Sequence, residues 1–200
     1  MRLARLLLFP LISLVLLIYI SLSNWTLLHE PDNLTKLYLN NLAQGNFGFG
    51  LAANYNNGIS FLGIEPGDII VGGFPQCAYG RFSHAGLYIG DKLVLESYGD
   101  LGVTIQPIDH YWEYSEIAIL RVDTTPEIKE QVISYVKNHE GGLFYPVAFK
   151  PGERIWNCTK IIWKAYLEYG IDLDANEDLW ISPDAFYDSP LTTVIREKGR

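Results

Sequence analysis

Cys158 opens the run NCTKIIWKAYLEYG, in which Ile161, Ile162, Ala165, Tyr166 and Tyr169 recur at helical spacing until Gly170 ends the pattern. A cysteine in the first turn of a helix meets free backbone N–H groups and the positive end of the helix dipole, which favour thiolate over thiol. That chemistry suits a nucleophile, although the same stripe would also suit a small buried apolar residue. A nucleophile needs a base, and the chain holds four histidines. His29 lies beside Glu30, His110 precedes Tyr111 in the aromatic stretch HYWEY, and His139 closes a helical segment, so all three have ordinary surface explanations. His84 has none, because it sits inside the strand pattern FSHAGLYIGDKLVLES between the small residues Ser83, Ala85 and Gly86. Glu96, near the end of that stretch, is the group that could orient an imidazole by accepting its second N–H. Taken singly, His84 could instead bond a backbone carbonyl and Glu96 could face water.

The register of this hairpin decides whether the two can meet. A two-residue turn at Gly90-Asp91 would set His84 opposite Ser97 and put Glu96 on the other face of the sheet. A three-residue connection, or a bulge, would bring His84 and Glu96 to one face. Turn chemistry favours the first arrangement, with Ser97 as partner.

These residues must be carried by a sheet and a helix. GDIIVGGF, HAGLYIG, KLVLES, VTIQPI and EIAILRV are short apolar or alternating runs separated by Gly, Asp and Pro, which predicts an antiparallel meander of about five strands. Thr125-Pro126-Glu127 then supplies a capping hydroxyl, a first-turn proline and a first-turn acid ahead of Ile128, Val132, Ile133 and Val136, the pattern of a helix. The cysteine-bearing helix follows, and a last strand is expected at Leu191–Ile195. The fold class is therefore α+β.

At the N-terminus, Arg2 and Arg5 precede the uncharged run from Leu6 to Ser23, expected to act as a membrane helix or signal segment over 1–23 with the body outside the cytoplasm. Residues 24–64 are read as a connector with a short helix at Leu34–Leu42, and 65–200 as the catalytic domain. A formal net charge of -8, with no basic run, argues against a nucleic-acid partner. The expected partner of the N-terminal segment is a lipid bilayer, and no cofactor is expected.

The motifs GDIIVGG, SHAGLYIGDKLVLES, GVTIQPID, NCTKIIWKAY, GIDLD and SPDAFYDSPL together resemble the circularly permuted papain-like cysteine amidases of the YaeF/YiiX type, within the NlpC superfamily. The resemblance spans roughly Gly63 to Ile195. It implies a permuted papain-like fold, with histidine and its polar partner preceding the cysteine. It also implies Cys158 as nucleophile, His84 as general base and then acid, and Glu96 as orienting residue, which selects the bulged hairpin. Thr159-Lys160 departs from the Ser-Glu pair expected beside the cysteine. The implied activity is extracytoplasmic amide hydrolysis through a thioester, with cell-wall peptides of peptidoglycan as the substrate class. Two alternatives stand beside it: a permuted lipid acyltransferase or phospholipase using the same Cys-His pair, and a non-catalytic binding domain stapled by a Cys77–Cys158 disulfide.

Overall fold

A computed structural model describes residues 2–25, 33–174, 176 and 178–199, with side chains from residue 8 onward. His29 and Glu30 lie outside the described residues. The elements are α1 (Arg2–Ser23), α2 (Leu34–Ala43), β1 (Ile69–Gly73), β2 (His84–Gly90), β3 (Leu93–Tyr98), β4 (Gly102–Pro107), a 3-10 turn (Ile108–Glu113), β5 (Glu116–Val122), α3 (Pro126–Lys137), β6 (Leu143–Phe144), β7 (Ile155–Trp156), α4 (Cys158–Leu167), α5 (Pro183–Asp188) and β8 (Thr192–Lys198). Six strands form one antiparallel sheet in the order β4-β3-β2-β1-β5-β8. The expected meander holds for β1 to β4, whereas β5 returns to pair with β1 instead of β4, and the expected last strand, β8, pairs with β5 at the sheet edge.

The sheet is covered on both faces, which explains why the central strand β1, IIVGG, reads as one continuous apolar run rather than alternating. On one face, Ile69, Val71, Ala85, Leu87, Leu95, Ala118 and Leu120 pack with Ile161, Ile162 and Tyr166 of α4 and Phe186 of α5. On the other, Ile70, Val94, Ile117 and Ile119 pack with Ile59, Ile108, Tyr111 and Tyr114. Period-two alternation assigns each strand residue to one of these cores.

The cover of the second face comes from the segment before β1. Within 44–64, Leu51 N–H donates to Pro75 O (2.8 Å), Asn57 Nδ2 donates to Tyr111 O (2.8 Å) and Tyr114 O (3.0 Å), and Trp112 Nε1 donates to Ile59 O (3.0 Å). This stretch is irregular, as its glycines and asparagines suggest, but it runs over the sheet as a strap. α2 begins with Asn33 as cap, its side chain accepting from Thr35 and Lys36 N–H.

The expectation of a membrane-spanning N-terminal helix is not met: among the described residues no helix is long and apolar enough to cross a membrane. The segment does form a helix, α1, with Pro10 inside it. Every large apolar side chain in it from Leu8 to Leu22 is exposed.

Candidate active site

The hairpin carrying His84 and Glu96 resolves through its turn. Asp91 and Lys92 both adopt positive φ (52° and 61°), the signature of a two-residue turn between Gly90 and Leu93. Ladder pairs run Leu87↔Leu95 and Tyr88↔Val94 but then Gly90↔Leu93, so Ile89 is the unpaired, bulged residue. The turn thus sits one residue later than Gly90-Asp91, and the bulge shifts the register. His84 and Glu96 share the face of Tyr111 and Tyr114, and Ser97, buried with its hydroxyl unpartnered, points to the other.

On that face the imidazole Nε2 of His84 lies 2.7 Å from Glu96 Oε2. This leaves Nδ1 for Cys158, which is close enough to act on the imidazole electrostatically. The three residues singled out in the sequence are therefore gathered at one place. Cys158 is the first residue of α4 and is partly exposed; Asn157 caps that helix, its Oδ1 accepting Lys160 N–H at 2.8 Å. Asn157 Nδ2 donates to Pro146 O (3.3 Å), tying the helix start to the loop between β6 and β7. Both cysteines are free: Cys77 is buried, its Sγ 3.9 Å from Phe82 O, and desolvation pushes its thiol up to about 11.

Electrostatics bind the groups together. Burial opposes a charge on His84, but the Cys158 sulfur and the Glu96 carboxylate outweigh it and raise the imidazole to about 10. Burial likewise opposes ionisation of Glu96, which is wholly enclosed, yet hydrogen bonds from His110 and His84 lower it to about 2. Both shifts favour the charged pair.

Aromatic residues build the surrounding walls. The His84 ring stacks on Tyr98, with centroids 4.5 Å apart and planes 19° apart, and lies parallel to Tyr114 at 6.3 Å. Tyr111 OH donates to Glu96 Oε2 at 3.0 Å. His110 contacts the same carboxylate, its Nε2 3.3 Å from Oε2 and 3.2 Å from Oε1. His110, for which the sequence offers an ordinary surface explanation, is half-buried and faces Glu96, and nothing in the sequence marks Tyr98, Tyr111 and Tyr114 for this site. The aromatic stretch HYWEY after β4 was the available signal. Its short 3-10 turn gives no apolar period that would aim its rings at Glu96.

Thr159 and Lys160, the departure from the expected pair, face away from the sulfur's partners. Thr159 OH donates to Ile181 O (2.7 Å), and the buried Lys160 ammonium donates to Pro151 O (3.2 Å) and Ile155 O (3.1 Å) over the Trp156 ring. Lys160 stitches the loop before α4. Among the described residues no group of three or more His, Cys, Asp or Glu is placed to hold a metal ion.

A cysteine at the start of a helix packed on an antiparallel sheet, with a histidine supplied by an earlier strand, is the arrangement of a papain-like architecture in permuted chain order. Residues 64–188 match the family described as permuted papain-like amidase enzyme, YaeF/YiiX, C92 family. The chain belongs to that family, which places it among amidases at the level of the family. The crystal structure of metalloprotein yiiX from Escherichia coli O157:H7 is similar with a TM-score of 0.55 and 18% identity, covering 67% of this chain and 97% of that one. At that identity the likeness concerns the fold. No curated protein matches the chain.

Proposed function

We propose that this chain is an extracytoplasmic cysteine hydrolase that cleaves amide bonds, with cell-wall peptides as its substrates. The observation that carries the reading is the His84 imidazole set between Cys158, which acts on its charge, and Glu96, with 2.7 Å between His84 Nε2 and Glu96 Oε2. In this reading His84 takes the Cys158 proton and the thiolate attacks the amide carbonyl carbon, forming a C–S bond. N–H groups at the start of α4 receive the developing oxyanion. The C–N bond then breaks, His84 gives its proton to the leaving amine, and a thioester remains. Water, deprotonated by the same imidazole, attacks the thioester and releases the carboxylic acid and the thiol. Glu96 fixes the tautomer and orientation of His84 throughout.

The location rests on α1. Its exposed apolar side chains, from Leu8 to Leu22, gain nothing from the rest of the protein, and a lipid phase is the partner we propose for them. Arg2 and Arg5 ahead of the run form the basic flank of a signal-type segment, which supports export of the body.

A second reading, turnover of lipid esters by the same Cys-His pair, draws on the loop between β6 and β7. Tyr145, Val147 and Phe149 are exposed there, and Pro146 accepts from Asn157, next to the nucleophile. Incubating the full chain with muropeptides and, separately, with phospholipid vesicles divides the two readings. Release of amines from muropeptides, abolished by Cys158→Ala, is the expected result; lipid turnover without peptide cleavage overturns the substrate class. A protein whose Cys158 resists a thiol-reactive probe at neutral pH overturns the enzyme reading.

A further inference from the structure

Asp184, in the first turn of α5, has no part in the hydrolytic mechanism, yet both of its oxygens are committed. Oδ2 accepts the Arg81 N–H at 2.7 Å and Oδ1 accepts the Phe82 N–H at 3.1 Å. A backbone N–H can only donate, so the direction of both bonds is fixed. The fit leaves no slack: Gly80 holds φ at 144°, and a Cβ there would overlap Asp184 Oδ2. The Arg81 guanidinium turns elsewhere, to Glu116 and Glu197 and over the rings of Phe82 and Tyr187. The carboxylate therefore grips main chain, in the loop between β1 and β2.

That loop leads straight into the base. Ser83 N–H donates to Gly72 O at 2.8 Å, and His84 follows as the first residue of β2, opposite Gly72. β3 pairs with β2 only from Leu87 onward, so at His84 the strand is held by the ladder on one side alone. The other end of the gripping segment reaches the nucleophile. Ile181 O, three residues before Asp184, accepts from Thr159 OH at 2.7 Å, and Thr159 adjoins Cys158. Between the two anchor points, Pro183 fixes one backbone angle. Four residues, Ile181 to Asp184, thus tie the backbone just before His84 to the side chain just after Cys158.

Resting on the reading of Cys158, His84 and Glu96 as a hydrolytic triad, we propose that Asp184 is a positioning residue, which sets the separation of His84 and Cys158 by clamping the loop ahead of β2 to the segment that also holds Thr159. Proton transfer between sulfur and imidazole needs hydrogen-bond reach, and a misplacement of about 1 Å can cost about 10²-fold in rate. The brace joins the two halves of the site that the permuted chain order separates.

The test needs no substrate. Against burial, the Cys158 sulfur and Glu96 raise the His84 imidazole to about 10, so its titration midpoint, followed by side-chain nitrogen NMR of the full chain, reports how close the sulfur sits. Asp184→Asn, which sets an amide donor against a backbone N–H, should lower the midpoint by about half a pH unit or more. Asp184→Ser, too short to span both N–H groups, should act the same way and preserves the test if the Asn variant does not fold. Thr159→Val, which frees the other end of the brace, should also lower it. Val132→Ala, a core truncation in α3, should reduce the melting temperature without moving the midpoint, which separates positioning from loss of stability. Cys158→Ala should lower the midpoint by itself, and adding Asp184→Asn should then change it little. If Cys158→Ala leaves it unmoved, the pairing of Cys158 with His84 fails, and the triad reading with it. If Cys158→Ala moves it while Asp184→Asn or Thr159→Val does not, if Val132→Ala moves it as far, or if Asp184→Asn acts equally without the sulfur, the role of Asp184 alone is overturned.

Discussion

Glu96 lies 2.7 Å from His84 because Ile89, five residues beyond His84, is bulged out of the hairpin. A regular ladder from the Asp91-Lys92 turn that kept Ile89 paired would set Glu96 opposite Leu87, on the other face, and the bulge absorbs that extra residue. Deleting Ile89 removes the bulge but leaves Gly90 opposite Leu93, Tyr88 opposite Val94 and Leu87 opposite Leu95, so His84 and Glu96 should stay on one face. Amide hydrolysis should be largely kept while circular dichroism still reports the sheet; a fall to the level of Cys158→Ala would show that register alone does not set the pairing.

The turn itself offers a stabilising change. Lys92 holds φ at 61°, a left-handed conformation that costs a residue with a Cβ about 1 kcal/mol. Asp-Gly is the preferred pair for this turn type. Lys92→Gly should raise the unfolding free energy by a few tenths to about 1 kcal/mol, measured by urea denaturation, with activity unchanged.

Gly86 lies beside the carboxylate's partners. A Cβ at this position would run into Tyr111 OH and Val94 Cγ1. Gly86→Ala should cost about 1–3 kcal/mol by overpacking and displace Tyr111 from Glu96. Tyr111→Phe in the same background should recover part of the melting temperature. If Gly86→Ala melts like the parent, the close approach is not a constraint.

The site was legible in the sequence to the extent that local chemistry marks it. Cys158 stood out through its helix start and His84 through small neighbours in a strand. Glu96 depended on a bulge, and the dipeptide Gly90-Asp91 pointed to the wrong turn because Asp91-Lys92 has no glycine to advertise its positive φ. α5 and the two-residue strands β6 and β7 were too short to leave a period. The approach of His110 to Glu96 depends on where the 3-10 turn after β4 sets its rings, a tertiary fact without a local sign.

Stability should respond to pH on both sides. Glu96 is lowered from 4.5 to about 2, so its contribution is present above about 4.5 and is lost as pH falls toward 2. His84 is raised from 6.5 to about 10, so its contribution is complete below about 6.5 and is lost as pH rises toward 10. As far as these groups decide it, the melting temperature should peak between about pH 4.5 and 6.5. Glu96→Gln should flatten the acid side and shrink the alkaline fall, and scanning calorimetry across pH would show either shape.

Glu96→Gln should also slow hydrolysis by about 10²-fold or more, since an amide cannot accept at every position where the carboxylate now does. An unimpaired rate in that variant would remove Glu96 from the mechanism.

The permuted order of the site has a consequence for synthesis. His84, Glu96 and His110 lie on β2, β3 and the turn after β4, neighbours in sequence joined by short connections, whereas Cys158 arrives only with α4. A growing chain thus receives the residues that surround the imidazole before it receives the reactive sulfur.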